Sequence, residues 1–224
     1  DNPSIIGGGN VVKLPYPNPY RPPFGETKSL TSQTIQYIEQ EVFRTVCPPE
    51  DTAALIVEGI QSDGGLVVPP DDFLPELQKL CQRHGISLVF DEVKVGMGRT
   101  GKWFSFDHYG LTPDAVVMGK SLGAGLPISA VVARKELLDA GMGVHMFTAS
   151  GNPVCSMAAL ENISIVEEER LMENAAKAGA YFLERLEELK QRHEWIGDVR
   201  GRGLAIGVEL VEDRAAKAPA AEKT

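Results

Sequence analysis

The chain has 224 residues, 43% hydrophobic, 24% charged and 7% aromatic, with a formal net charge of −9. That length and apolar fraction can bury a core without disulfides or a structural metal. The acidic balance excludes nucleic-acid binding by bulk charge, which needs basic patches, and no apolar run reaches the roughly 18 residues of a transmembrane helix.

The opening, DNPSIIGGGN, has neither an initiator Met nor the basic-then-apolar pattern of a signal peptide. Residues 14–26, LPYPNPYRPPFGE, hold five prolines. Proline removes a backbone donor and favours extended conformations, so 1–30 reads as a connector. A helix is predicted over 31–46, with Ile35, Ile38, Val42 and Val46 on one face. The continuous apolar run at 53–57 reads as a strand buried on both faces. A helix over 71–84 follows: Asp71 or Asp72 can cap it, Phe73, Leu74, Leu77 and Leu80 form its stripe, and Gly85 ends it. Strands are predicted at 86–90, 115–118 and 128–133, and their alternation with helices implies parallel βαβ units in a helix-covered sheet. Long helices at 153–169 and 171–193 carry a charged outer face. Gly201, Arg202 and Gly203 lead into a strand at 204–210, and the tail from 215 onward reads as frayed.

Cys47, Cys81 and Cys155 are widely spaced without a CxxC, and read as free buried thiols of a reducing cytosol. His84, His108, His145 and His193 are scattered, so no metal site is expected.

In open α/β sheets, ligands sit beyond the carboxyl ends of the strands. Three polar features fall at such ends: Glu58, Gln61 and Asp63 after the first strand, Asp91 to Lys94 after the second, and Gly119, Lys120 and Ser121 after the third. Singly, an acid there is a capping or turn residue and a lysine an anion contact. Together they describe one cleft holding a carboxylate and a lysine, and such a lysine can act as a Schiff-base nucleophile. GKSLGAG is not a phosphate-binding P-loop, because residues 114–118 supply no glycine.

Four strings then become informative together: DEVKVGMGRTG at 91–101, GKSLGAGLPISAVV at 119–132, FTASGNP at 147–153 and IGDVRGRGLAIGVEL at 196–210. In that order they resemble the class III aminotransferase family, fold-type-I enzymes that use pyridoxal 5′-phosphate. The resemblance implies an α/β fold: the large domain of a fold-type-I transferase, with a mostly parallel sheet, and the start of a smaller C-terminal α/β domain. On it, 1–30 is the connector, 31–160 part of the cofactor-binding domain, and 161–224 interdomain helices leading into the small domain. By the same resemblance Lys120 forms the Schiff base with the cofactor and acts as general base, while Asp91 keeps the pyridine nitrogen protonated. Val93 packs on a ring face, and Thr148 reaches the phosphate, usually across a dimer interface. Arg99 and Gly101 form an RTG element read as structural.

Two departures from the commonest family strings, EPIQGEGG and DEVQTGFGRTG, fall on groups that could act beside the cofactor. Here the strings are EGIQSDGG and DEVKVGMGRTG, so Asp63 replaces a glutamate and Lys94 a glutamine that contacts the cofactor's phenolic oxygen. Gln61, Asp63 and Lys94 are therefore candidates beside the cofactor, with Asp63 and Lys94 either a neutral ion pair or direct participants. These changes resemble a subgroup containing α-amino-ε-caprolactam racemase. The resemblance implies amino transfer between an amino acid or amine and a 2-oxo acid, in a cytoplasmic homodimer with shared active sites. Racemisation of an amino acid or amino-amide is the alternative, with Asp63 supporting or supplying the second acid, and a non-catalytic binding or dimerisation module is a further one. Family members are longer, so the chain reads as about the middle half of one. Its two ends then read as cut edges, and weak cofactor binding is expected of it alone.

Overall fold

The computed structural model of the protein describes residues 11–25, 29–139 and 147–220. The glycines at 7–9, His145 and residues 221–224 lie outside them. Residues 11–25 form no helix or strand, as their prolines predict, but they are anchored: Tyr16 packs edge-on against Phe73, and its hydroxyl donates to the Glu58 carbonyl at 3.0 Å.

The first sheet has the order β1 (Ala54–Val57), β2 (Ser87–Asp91), β3 (Ala115–Met118), β4 (Ala130–Ala133). The first three strands are parallel, with Leu55 opposite Leu88 and Asp91 opposite Val117. β4 corrects the expectation of parallel units: it runs antiparallel to β3, with Val116 opposite Val132. Its link to β3 holds one 3₁₀ turn, Lys120–Gly123, and is too short for a parallel crossover. β1 is not buried on both faces. It is the edge strand of this sheet among the described residues, with Ile56 70% exposed.

The 31–46 helix is present but changes winding. α1 (Leu30–Tyr37) continues as a π-helical segment, Ile38–Val46, closed by Cys47 N–H donating to the Val42 carbonyl at 2.9 Å. The wider turn keeps Ile38 and Val42 buried and rotates Val46 into solvent. α2 (Phe73–His84) ends at Gly85 with φ 67°, the left-handed position that favours glycine. Leu74, Leu77 and Leu80 of α2 are fully buried with Leu88 and Phe90 of β2 in the main core. Each such leucine contributes about 1.5–3 kcal/mol of burial. Asp72 occupies the N-cap position as expected, but its carboxylate accepts from the Thr31 hydroxyl at 2.5 Å instead of from the helix, and Asp71 pairs with Arg202.

After α3 (Lys135–Leu138), Asn152 caps α4 (Pro153–Glu168), accepting from the Val154 and Cys155 amides at 3.0 and 3.2 Å. α5 (Leu171–Arg192) follows a left-handed break at Arg170 and carries exposed ion pairs such as Arg185–Glu188. No helix among the described residues is long and apolar enough to cross a membrane. The second sheet is antiparallel, β5 (Ile196–Arg202), β6 (Ala205–Asp213), β7 (Ala218–Pro219). β5 is an addition to the sequence reading, which assigns no element to 196–200 and reads Gly201 and Arg202 only as part of the lead-in to β6. The tail is not frayed through 220, because β7 pairs with β6 and Ala220 is 2% exposed.

The two halves meet at the RTG element. Leu204 N–H donates to the Arg99 carbonyl at 2.9 Å, and a Cβ on Gly101 would stand 2.9 Å from Ala176 Cβ of α5. These contacts agree with a structural role for Arg99 and Gly101. Gly179 of α5 is closer still: a Cβ there would lie 2.0 Å from the Gly203 carbonyl oxygen. At an open helix position Gly→Ala adds about 1 kcal/mol. Gly179→Ala is instead expected to lose at least about 2 kcal/mol through overpacking against backbone. Denaturant unfolding of the two proteins checks the sign.

Candidate active site

The candidate residues gather at the carboxyl ends of β1, β2 and β3. Asp91 is the last residue of β2, and its Oδ1 accepts from the Val93 amide at 2.9 Å. That bond turns the chain sharply after the strand and sets the orientation of the carboxylate. Lys120 follows β3 by one glycine. Its side chain is exposed, and its φ of 43° lies in the left-handed region, a strained conformation for a lysine. Gly119 brings the two strand ends together, since a Cβ on it would be 3.4 Å from Val93 Cγ1. The turn is closed by Leu122 N–H on the Gly119 carbonyl (2.9 Å), and Asn162 of α4 donates to the Ser121 carbonyl at 2.8 Å.

The loop after β1 approaches from the side. Glu58 accepts from the Ser62 amide at 2.9 Å and from its hydroxyl at 2.6 Å. Gln61 and Val67 exchange backbone bonds of 3.0 and 2.8 Å that close the loop. The Gln61 amide is half-buried and lies back over Gly64, where a Cβ would meet its Oε1. Asp63 and Lys94 form an ion pair. The Lys94 hydrogen bond, and then the Lys94 charge, hold the Asp63 carboxyl below its usual range, and the Lys120 ammonium acts in the same direction. Asp63, Lys94 and Lys120 thus share one electrostatic neighbourhood. Thr148 stands apart, in the exposed turn that leads into α4, and no hydrogen bond or ion pair among the described residues joins it to the others.

Three supports escaped the sequence reading. Glu92, next to Asp91, is 0% exposed, and its Oε1 accepts from the Ser105 amide at 2.8 Å and from the Ser105 hydroxyl. Its Oε2 is buried without a partner among the described residues. Burial pushes this carboxyl up to about 7, against the Ser105 bonds that pull it down. Asn162 and Arg200 are the other two. A polar residue inside the apolar run of α4 was a signal for Asn162. Glu92 lies in the polar run 91–94 at a strand end, but nothing local marked its burial, and nothing local marked the contacts of Arg200.

The donor set suits the aldehyde and ring of pyridoxal phosphate. Lys120 offers an exposed amine for the aldehyde carbon, Asp91 a carboxylate for a cationic ring nitrogen, and Val93 an apolar surface for a ring face.

Residues 5–224 match the family model for aminotransferase class-III. An alanine/serine racemase of Pyrococcus horikoshii is 46% identical over 209 residues, covering 91% of this chain and 44% of the racemase. A leucine/methionine racemase of Thermococcus litoralis is 47% identical over 211 residues, covering 93% and 47%. An amine transaminase from an uncultivated Pseudomonas species, solved in its PLP-bound form, superposes with a TM-score of 0.85 at 38% identity, covering 92% of this chain and 48% of that one. That likeness agrees with the expected fold-type-I architecture. The chain spans about half the length of the curated relatives it matches.

Glu92 gives a pH test. Its carboxyl titrates higher in the folded protein than in the unfolded chain, so the folded state binds the extra proton between the ordinary carboxylate value of 4.5 and about 7. Stability from this group is therefore full below the lower value and is lost as pH rises through the higher one, by up to about 3 kcal/mol. Glu92→Gln is expected to flatten the fall in Tm between about pH 4.5 and 7. An unchanged slope in the variant contradicts the assignment.

Proposed function

The chain belongs to the class III aminotransferase family, and on that premise we propose that it carries the lysine–carboxylate centre of a pyridoxal-phosphate enzyme acting at the α-carbon of an amino acid. The observation that carries this reading is the convergence of Asp91, Val93 and Lys120 at the ends of two adjacent parallel strands. Bound there, the cofactor supplies an electron-accepting ring for the carbanion left when the α-hydrogen departs. Asp91 holds the proton on the ring nitrogen, and Val93 fixes the ring plane. Lys120 is the residue whose Nζ would hold the cofactor through its aldehyde carbon and, once free, would accept the α-proton. Lys94 would reach the phenolic oxygen with Asp63 as its counter-charge, Gln61 keeps the loop of Asp63 closed, and Thr148 would serve the phosphate across a homodimer interface. Residues 31–160 then contribute the cofactor domain and 161–224 the start of the small domain, in a cytoplasmic enzyme.

Delivery of the proton from Lys120 to the cofactor side would lead, after release of the 2-oxo product, to amino transfer to a second 2-oxo acid, the outcome that the family carries. Delivery of a different proton to the opposite face of the α-carbon would give racemisation of the amino acid or amino-amide, and needs an acid on that face, while Lys120 keeps the proton it removed. Two observations favour this second reading: the Asp63–Lys94 pair, and the 46 and 47% identity to amino acid racemases.

Borohydride reduction after incubation with the cofactor, followed by peptide mapping, is expected to mark Lys120, with the mark lost in Lys120→Ala; a mark that persists contradicts the lysine. Chiral analysis with and without a 2-oxo acid then separates the outcomes, because only amino transfer needs the acceptor. Under racemisation, Asp63→Ala should lower racemisation about a hundredfold and the half-reaction of amino transfer far less. Equal losses in both reject a role for Asp63 in supporting or supplying that acid.

A further inference from the structure

Arg200 of β5 has no part in the chemistry proposed for the site, yet all three of its nitrogens are engaged. Nη1 donates to Asp198 Oδ2 at 2.8 Å and to Glu209 Oε2 at 2.9 Å. Nε and Nη2 both donate to the Gly65 carbonyl, at 3.1 and 2.7 Å. The side chain is 13% exposed. Glu209 is held in turn by Arg21 at 2.6 Å. The two carboxylates neutralise the guanidinium and fix its plane, so that its fork converges on one backbone oxygen two residues beyond Asp63. A lysine cannot make this forked contact.

Gly207 of β6 completes the clamp. A Cβ there would stand 2.7 Å from the Gly65 carbonyl oxygen and 3.2 Å from Leu66 Cβ. The hairpin therefore lies directly against the loop, and a methyl group at 207 would push them apart. Gly65 itself has φ 108°, a conformation that side chains rarely adopt, so the loop is built around this contact.

We propose that Arg200 is a positioning residue: with Gly207 it clamps Gly65, and so sets where the Asp63 carboxylate stands relative to Lys94 and Lys120. Asp63 is 87% exposed on its side chain and has no packing of its own to hold it. Its place is fixed from both sides of the loop, by Glu58 on Ser62 at one end and by Arg200 on Gly65 at the other. The β5–β6 hairpin thereby dictates the geometry of a loop more than a hundred residues away in sequence. The positioning follows from this chain's own contacts; its effect on the fate of the α-proton rests on the role proposed above for Asp63.

The test titrates the Asp63 carboxyl carbon by NMR in the isotopically labelled chain, without cofactor, for wild type, Arg200→Gln, Arg200→Lys and Gly207→Ala. Hydrogen exchange at Leu66 and Val67 is read beside β2 amides as an internal control. Arg200→Gln and Gly207→Ala should each raise the Asp63 midpoint toward the ordinary carboxylate value. They should also speed exchange at Leu66 and Val67 about tenfold and leave β2 unchanged, with Arg200→Lys between them and wild type. An Asp63 midpoint that stays put while the loop amides accelerate reduces Arg200 to a brace and overturns the proposal. So does acceleration spread equally through β2. If Arg200→Gln fails to fold, Gly207→Ala tests the same clamp with the arginine intact. With cofactor present, a shifted midpoint and an unchanged ratio of racemisation to amino transfer would keep the clamp and reject the role given to Asp63.

Discussion

The site depends on the parallel register of β2 and β3. With Asp91 opposite Val117, the two strands end at nearly the same level, so the carboxylate at one end and the amine just past the other emerge along one edge. Each strand end then turns in its own way. Asp91 caps the amide two residues on, and Lys120 enters a left-handed turn after Gly119. The glycine lets Val93 stand beside the lysine backbone, which gives the pair of charged groups an apolar wall. A slip of one residue between these strands would send Asp91 to the opposite face of the sheet.

Around that edge, distant elements fix the loops. Ser105 of a 3₁₀ turn holds Glu92, Asn162 of α4 holds the Lys120 turn, and Arg200 of β5 holds the loop that carries Asp63. Each reaches backbone or a buried carboxylate rather than a surface charge, where geometry is gained and solvent screening is small. Exposed ion pairs on α5 contribute far less to geometry, because water and salt weaken them.

Much of this was legible in the sequence. Leu74, Leu77 and Leu80 recur at helical spacing and Gly85 stops α2. Asp91 and Lys120 follow apolar runs, which is where a strand end puts a ligand. What stayed hidden depends on neighbours. An apolar run reads the same at a sheet edge as at its centre, so the exposure of Ile56 was invisible. The direction of β4 depends on how little chain links it to β3. In β5, Gly197, Val199 and Gly201 alternate with charged residues, so the period-two apolar signal is too weak to mark a strand. The burial of Glu92 follows from Ser105 arriving through a later turn, and the grip of Arg200 on Gly65 joins residues that no local pattern relates.

If Asp91 and Lys120 serve one ligand from adjacent strands, as proposed, the ring nitrogen of that ligand must answer to Asp91. The most direct measurement is ¹⁵N NMR of pyridoxal phosphate labelled at its ring nitrogen, bound to the wild-type chain and to Asp91→Asn. A protonated ring nitrogen is expected in the wild type and loss of that proton in the variant, with the bond to Lys120 retained in both. A ring nitrogen that is unprotonated in the wild type, or a protonated one that does not respond to Asp91→Asn, would contradict the shared site.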